Sequence, residues 1–375
     1  MKVLAVFGTR PEAIKMCPLV LELKQSDDIQ CVVCLTGQHK EMLKQVMDAF
    51  HITEDYNLEI MKDKQTLTTI TTSILEKIEP ILIQERPDIV LVHGDTTTSY
   101  AAALAAFYQQ IPVGHVEAGL RTGDIYSPFP EEMNRLLTDR ISTLYFAPTE
   151  QNRQNLNKEG ITENIYVTGN TVIDAFAKTV RNDYVFHDEK LNAINFEQSR
   201  VILVTAHRRE NIGVPLQNIC NAIKTIAKKH VDTVFVYPVH LNPRVRETVF
   251  STLSDMDNVL LIDPIDVLDM HNLLSRCYMV MTDSGGLQEE APHFGKPVLV
   301  LRTETERPEA VEAGTVKVVG VEESNIFCEA ERLINNSLQY GMMAKAVNPY
   351  GDGHASERIV EALKKCQKKD CQNCD

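Results

Sequence analysis

Short apolar runs that alternate with longer amphipathic segments are the feature that most constrains this fold. The runs are nearly continuous in hydrophobic residues, as expected for parallel strands that are covered on both faces. Each run is followed by a segment long enough for a crossover helix. The first half therefore predicts a doubly wound α/β sheet, with strands at 2–7, 30–35, 89–93, 112–116 and 144–147 and helices at 14–25, 39–50, 67–86 and 98–109.

The same pattern begins again in the second half of the chain. Strands are predicted at 201–205, 233–238, 259–262, 279–282 and 297–301, with helices at 218–229, 267–276 and 287–294. A chain of 375 residues also exceeds what one hydrophobic core usually holds. We expect two Rossmann-like domains that face each other across a cleft, 1–168 and 169–354, with a C-terminal helix at 355–375 that packs back on the first.

Charge and hydropathy exclude several classes of function. A formal net charge of −14 argues against a general nucleic-acid binder but permits a small anionic ligand held by local cations. No run approaches the ~20 apolar residues of a membrane span, and residues 3–7 are too few for a signal peptide. We therefore expect a cytoplasmic protein without a membrane partner. Cys371 and Cys374 form a C-x-x-C pair near the end of the sequence. We expect a frayed tail whose cysteines stay reducible, with metal or redox chemistry as the alternative.

A glycine turn follows the first predicted strand and leads into the first helix. Gly8 allows a tight turn, and the helix N-terminus that comes next favours an anion. Arg10 and Lys15 add positive charge at that place. A plain strand–helix turn with solvated charges is the alternative.

Three carboxylates stand at further strand ends of the first half. Asp95 either caps the next helix, a role that Thr96 would also fill, or it acts on a hydroxyl or a proton. Glu117 needs a cationic partner, for which Arg121 is the nearest candidate in sequence. Glu131 opens another helix, where the helix dipole alone explains one acidic residue. Together the three indicate acid–base work on a carbon-bound proton or a hydroxyl.

The second half supplies a cationic and glycine-rich set. His207 is followed by two arginines, a grouping that suits a polyphosphate, although a structural ion-pair cluster is the alternative. A Ser-Gly-Gly turn presents backbone N–H groups to phosphate oxygens, and a glutamate one turn later suits ribose hydroxyls. The residues in these roles, with one arginine after the next strand, are Ser284, Gly285, Gly286, Glu290 and Arg307.

Together these segments resemble the non-hydrolysing UDP-N-acetylglucosamine (UDP-GlcNAc) 2-epimerases of bacteria over nearly the whole chain. The blocks are FGTRPEAIKM (7–16), HGDTTT (93–98), HVEAGLRTGD (115–124), PFPEEMNR (128–135), TAHRREN (205–211), DSGGLQEEAP (283–292) and ERPEAVEAGT (306–315). The resemblance implies a fold like the B-type glycosyltransferases, with the active site in the cleft. Its motif matches imply substrate contact or catalysis by Arg10, Lys15, Asp95, Glu117 and His207, and UDP binding by Ser284, Gly285, Gly286, Glu290 and Arg307.

The resemblance also implies features that residue patterns alone do not give. Near the uracil, this chain has Met270 where family members often carry an aromatic residue, and Ile265 where glutamine is common. A homodimer is expected, as is a second, activating UDP-GlcNAc site beside the first, where Lys64 replaces an arginine of some members. The residues implied for that second site are Gln38, His39, Gln65, Arg209, Glu210 and His240.

The chemistry expected is epimerisation at C2 of UDP-GlcNAc to UDP-ManNAc, which would supply ManNAc for surface polysaccharide. Because no G-x-G-x-x-G fingerprint is present, we expect no redox cofactor, and no cluster suggests a catalytic metal. The route is elimination of UDP to 2-acetamidoglucal and re-addition, with Asp95, Glu117 and Glu131 as the acid–base set. Alternatives are a UDP-sugar glycosyltransferase of the same architecture, a hydrolysing epimerase and a non-catalytic sensor of nucleotide sugars.

Overall fold

Two parallel β-sheets, each flanked by helices, divide the chain into two units. The structure is a computed structural model that describes residues 1–37, 40–61 and 65–372. The first unit comprises Met1–Lys178 and the segment from Tyr350 onward, and the second comprises Thr179–Pro349. The predicted fold class, two doubly wound α/β domains, is confirmed.

The sheet of the first unit has seven strands in the order β3-β2-β1-β4-β5-β6-β7. The strands are β1 Lys2–Phe7, β2 Gln30–Leu35, β3 Tyr56–Asn57, β4 Ile89–His93, β5 Val113–Val116, β6 Leu144–Ala147 and β7 Ile165–Val167. The helices are α1 Arg10–Gln25, α2 Lys40–Ala49, α3 Leu67–Glu85, α4 Thr97–Tyr108, α5 Glu131–Ile141, α6 Glu150–Lys158 and α7 Thr171–Thr179. Since the chain winds outward from β1 and then from β4, the order reverses between these two central strands.

The sheet of the second unit has six strands in the order β10-β9-β8-β11-β12-β13. They are β8 Arg200–Thr205, β9 Thr233–Pro238, β10 Val259–Ile262, β11 Met279–Thr282, β12 Val298–Val300 and β13 Val316–Val318. Its helices are α8 Glu189–Asn192, α9 Val214–Lys229, α10 Pro243–Leu253, α11 Val267–Arg276, α12 Gly285–Glu290, α13 Pro308–Glu312, α14 Glu323–Asn335 and α15 Ser337–Ala344. Here the strand order reverses between β8 and β11.

The apolar runs form strands because both of their faces are covered. Every residue from Val3 to Phe7 in β1 is fully buried, and Val90 to Val92 in β4 are equally inaccessible. Burial of this kind stabilises the fold by roughly 25 cal/mol per Å² of apolar surface. The core therefore lies on both sides of each sheet. In the described part of the chain, no helix is both long and apolar enough to cross a bilayer.

The last helix, α16 Ala355–Gln372, belongs to the first unit, where it packs against α1. Its N-terminus is held by Asp174 of α7, whose carboxylate accepts hydrogen bonds from the backbone N–H groups of Ala355 (3.2 Å) and Ser356 (2.7 Å). The Asn170 N–H likewise donates to the Tyr350 carbonyl at 2.7 Å. These ties place α7 and residues 350–354 in the first unit, so the division falls later than the expected 168 and earlier than the expected 354.

Candidate active site

The glycine turn after β1 is shaped by close packing and by its own helix. A Cβ on Gly8 would lie 1.8 Å from Thr36 Oγ1, so only glycine fits there. The N–H groups of Gly8 and Thr9 donate to the Glu12 carboxylate at 3.0 and 2.7 Å, which completes a capping box on α1. The expected anion site therefore does not use these two N–H groups, because Glu12 already accepts from them. Arg10, the first residue of α1, and Lys15, one turn later, supply positive charge beside the turn.

Glu117, at the end of β5, lies in a buried and cationic pocket. Its carboxylate pairs with Lys15 of α1, accepts a hydrogen bond from Asn170 Nδ2 at 3.1 Å and lies 3.6 Å from His93 Nε2. Burial opposes ionisation, but Lys15 and His93 outweigh it and hold the pKa of Glu117 well below its ordinary value. Its φ of +67° is unusual for a residue with a side chain and marks local backbone strain.

The expected pairing of Glu117 with Arg121 is wrong. Arg121 instead binds Asp139 at 2.6 Å and Glu159 at 2.6 and 2.9 Å. The reason is topological, because β1 lies beside β4 in the sheet and α1 therefore reaches the end of β5. The chain turns away after Gly119 and carries Arg121 toward α5 and α6.

Asp95, after β4, is not the cap of the following helix. Thr96 caps α4 by accepting a hydrogen bond from the Ser99 N–H at 3.2 Å, while Asp95 pairs with Arg135 of α5. Asn134 Nδ2 also donates to the Asp95 backbone carbonyl at 2.9 Å. Arg135 was missed in the sequence, although its place one turn after Glu131 on the same helix was a usable signal.

The two glutamates that open α5 have different surroundings. Glu132 is a structural residue, because it pairs with Arg135 at 3.0 Å and accepts from the N–H groups of Thr122 (2.9 Å) and Gly123 (3.1 Å). Glu131 Oε2 is buried and has no hydrogen-bond partner among the residues that the structure describes. An unsatisfied buried carboxylate oxygen is costly, which makes Glu131 the candidate for function.

In the second unit, Asp283 braces the loop that carries His207. One Asp283 oxygen accepts from the backbone N–H groups of His207 and Arg208, both at 2.8 Å, and from Asn211 Nδ2 at 2.9 Å. The His207 ring stacks on His240 with centroids 5.0 Å apart. Burial lowers the pKa of His207, Asp283 opposes that effect, and His240 and Arg208 add to it, so the neutral imidazole is favoured.

The Ser284–Gly286 turn follows β11 and opens α12. The side chain of Ser284 makes no capping bond in this structure. A Cβ on Gly285 would lie 3.6 Å from Arg307 Nη2, and a Cβ on Gly286 would lie 3.2 Å from Glu290 Oε1. The two glycines therefore keep backbone, guanidinium and carboxylate close together, as a phosphate and ribose site requires.

Two acidic residues of α12 contact the groups around this turn. Glu289 is buried and pairs with the Nε of Arg307, which fixes the plane of the guanidinium. Glu290 Oε2 lies 3.8 Å from His271 Nε2 of α11. Met270, the residue implied for the base, precedes His271 on that helix and is partly buried. The second unit thus gathers the predicted residues Ser284, Gly285, Gly286, Glu290 and Arg307, and adds Glu289.

The residues implied for a second ligand site are only partly described. Gln38 and His39, like Lys64 and Cys374, lie outside the described residues. Gln65 of the first unit donates to the Ile60 carbonyl. In the second unit, Glu210 forms an ion pair with Arg302 Nε at 3.1 Å, Arg209 begins a short 3-10 turn, and His240 stacks on His207.

One group of possible metal ligands is present among the described residues. His187, Asp266 and Asp269 have donor atoms within 4.8 Å of one another. Asp266 caps α11, and Asp269 accepts from the Tyr184 hydroxyl at 2.7 Å and the His187 N–H at 3.0 Å. These contacts give the cluster a structural role in anchoring the segment before α8.

Both units are doubly wound. The first has carboxylates at its switch point, and the second has a Ser-Gly-Gly turn and an arginine. These features define a two-domain α/β enzyme for an anionic ligand. Sequence comparison narrows this class. The chain belongs to the UDP-N-acetylglucosamine 2-epimerases, a family of isomerases whose sequence profile matches residues 21–364. The resemblance seen in the motifs is thereby confirmed.

Named relatives cover almost the whole chain. The UDP-N-acetylglucosamine 2-epimerase of Bacillus subtilis is 55% identical over 97% of this chain and 95% of the relative. That of Escherichia coli is 54% identical over 97% of this chain and 98% of its own length. A crystal structure is known for UDP-GlcNAc 2-epimerase from Neisseria meningitidis bound to UDP-GlcNAc. Its sequence is 52% identical to this chain, the alignment covers 97% of this chain and 100% of that one, and the TM-score is 0.88.

Proposed function

We propose that this protein interconverts UDP-GlcNAc and UDP-ManNAc by inverting the configuration at C2 of the sugar. The observation that carries the proposal is the pair of cation-held carboxylates at the ends of adjacent strands β4 and β5, the partly exposed Asp95 and the buried Glu117. The names of the relatives support the substrate, since a UDP-GlcNAc complex is known for the Neisseria enzyme.

The proposed route is elimination followed by re-addition. The C1–O bond breaks with its electron pair leaving on UDP, and the positive character that develops at C1 acidifies the C2 proton. A carboxylate takes that proton, and the C2–H electron pair forms the C1=C2 bond of 2-acetamidoglucal. UDP then returns to C1 while a proton is delivered to the other face of C2. The cycle is redox-neutral, so we propose that no cofactor takes part.

The two units have different roles in this proposal. Arg307, His207 and the Ser284–Gly286 turn hold UDP and stabilise the charge on its diphosphate as it leaves. Glu290 accepts hydrogen bonds from the ribose hydroxyls, and Met270 packs on the base. Arg10 and Lys15 add cationic contacts from the first unit. Asp95, Glu117 and Glu131 form the acid–base set at C2, with Glu117 ionised in the resting protein because of its cationic neighbours.

Further parts of the proposal concern assembly and setting. We propose a homodimer, for which the exposed aromatic pair Phe107 and Tyr108 at the end of α4 offers an apolar surface. We also propose that the product supplies ManNAc for surface polysaccharide. The second UDP-GlcNAc site and the cytoplasmic location stay predictions.

The test is proton NMR of the protein with UDP-GlcNAc in D₂O, without nicotinamide, metal or acceptor. UDP-ManNAc should appear, and C2 of both sugars should gain deuterium. Release of free sugar and UDP alone would make the protein a hydrolase. An unchanged substrate in the presence of measurable UDP binding would favour the glycosyltransferase or the sensor.

Variants test the assignment of the carboxylates. Asp95→Asn, Glu117→Gln and Glu131→Gln should each lower kcat by ~10²-fold or more, the usual scale for acid–base groups. UDP affinity measured by calorimetry should be mostly retained. The control is Glu150→Gln, which removes an exposed carboxylate of the same unit and should leave kcat unchanged. Near-normal turnover in all three variants would refute the assignment.

A further inference from the structure

A buried chain of charges lies beneath the loops that carry Asp95 and Glu117. His115 Nδ1 contacts Asp139 Oδ1 at 2.6 Å, and both side chains are 0% exposed. Arg121 binds the other Asp139 oxygen at 2.6 Å and continues the chain to Glu159 at its outer end. Such a chain is costly to bury unless each member is satisfied, and here each of the four side chains has a partner.

The two ring nitrogens of His115 have different partners. His115 Nε2 lies 2.7 Å from the Gly94 carbonyl, which only accepts, so Nε2 must hold a proton. Burial opposes ionisation of Asp139, but His115 and Arg121 outweigh it and keep the pKa of Asp139 below its ordinary value. The second ring nitrogen, Nδ1, contacts Asp139 of α5 on the other side of the ring.

The inner end of the chain holds both functional loops. His115 fixes the carbonyl of Gly94, a residue with φ +64° that immediately precedes Asp95. A Cβ on Gly94 would lie 3.5 Å from Glu117 Oε1, so this turn packs directly against the Glu117 carboxylate. Asp139 Oδ2 accepts from the Gly119 N–H at 3.4 Å, two residues beyond Glu117. The two loops thus share one support.

We infer that His115 and Asp139 are positioning residues that fix the distance between the Asp95 and Glu117 carboxylates through Gly94 and Gly119. This inference rests on the proposed epimerisation, since it concerns the same acid–base set. Neither residue touches the substrate in this scheme. Their effect is on geometry, and a displacement of about 1 Å at reacting groups is enough to cost on the order of 10²-fold in rate.

Two substitutions of His115 separate positioning from simple stability. The amide nitrogen of His115→Gln takes the place of Nε2 and can still donate to Gly94, whereas that of His115→Asn takes the place of Nδ1 and reaches only Asp139. Both variants lose one of two buried hydrogen bonds. We expect His115→Asn to lower kcat by about 10²-fold and His115→Gln by about tenfold or less, with KM and UDP affinity within about twofold of the parent.

The control is Glu85→Gln, which breaks an ion pair with Lys2 at the opposite end of β1 and should leave kcat unchanged. Equal kcat values for the two His115 variants at equal melting temperature would overturn the inference. If neither variant folds, Glu159→Gln, at the partly exposed outer end, should lower kcat several-fold at constant KM, and parental kcat would overturn it. Absence of C2 exchange in the parent protein would instead reject the proposed function itself.

Discussion

Removal of Lys15 should raise the pKa of Glu117, which the ion pair lowers in the parent protein. The buried Glu117 carboxylate has one lysine partner, with His93 at 3.6 Å and Asn170 at 3.1 Å as further neighbours. Burial raises its pKa, and Lys15 is the strongest of the opposing influences. In Lys15→Met, the side chain keeps most of its length but loses its charge, so the pKa of Glu117 must rise.

The size of the effect follows from the contact. One opposite charge at close range moves a carboxyl pKa by about 1–3 pH units, equivalent to about 1.4–4 kcal/mol between the two protonation states. In the parent, Lys15 therefore favours the ionised form of Glu117. In the variant, the burial of Glu117 is opposed only by weaker neighbours, so its protonation moves to higher pH.

The assay is the pH dependence of kcat/KM for epimerisation from pH 5 to 9. We expect the acidic limb to lie at least about one pH unit higher in Lys15→Met than in the parent. The position of the limb is informative even if Lys15 also binds substrate, because a lost phosphate contact lowers kcat/KM at every pH. Lys2→Met, which breaks the partly buried ion pair with Glu85, is the matched control. Superimposable acidic limbs for Lys15→Met and the parent would refute the reasoning.

Two further predictions concern UDP binding and the C-terminal helix. Glu289→Gln weakens a charge-assisted hydrogen bond to Arg307 that is worth about 1.5–3 kcal/mol, so calorimetry should show UDP affinity at least about tenfold weaker; unchanged affinity would mean that Arg307 does not need this support. Ile359→Ala removes a fully buried side chain of α16 and should lower the free energy of unfolding by about 2–5 kcal/mol in denaturant titrations. A loss below about 0.5 kcal/mol, the range of surface substitutions, would show that α16 does not stabilise the first unit.

Most strands of both sheets could be predicted from the sequence, because a strand that is buried on both faces is rich in apolar residues. All ten predicted strands are present, since each is a continuous apolar run that a two-sided parallel sheet requires. The strands that were missed are β3, β7 and β13, which have only two or three residues each. A run of that length carries no periodicity, and the neighbouring strand rather than its own composition determines that it is extended.

The ion pairs of the site were less predictable than its residues. Arg121 is four positions from Glu117 in sequence, and Lys15 is more than a hundred positions away, yet Lys15 is the partner. Proximity in sequence is informative on a helix, where residues four apart share a face, but Glu117 stands on a strand end followed by a glycine turn. The correct pairing depends on strand order, which places α1 beside β4 and β5 and which a single sequence does not display.

The degree to which each carboxylate is satisfied distinguishes Asp95 and Glu131, two members of the proposed acid–base set, from the structural carboxylates of the first unit. Glu12, Glu132 and Asp139 each accept at least three hydrogen bonds within the unit and so have little capacity left for a substrate. Asp95 is held by one arginine and remains a quarter exposed, and Glu131 keeps a buried oxygen without a partner among the described residues. Glu131 and Glu132 are adjacent in the first turn of α5, so the helix dipole does not distinguish them. The donors that distinguish them come from Thr122, Gly123 and Arg135, so the distinction exists only once the chain has folded.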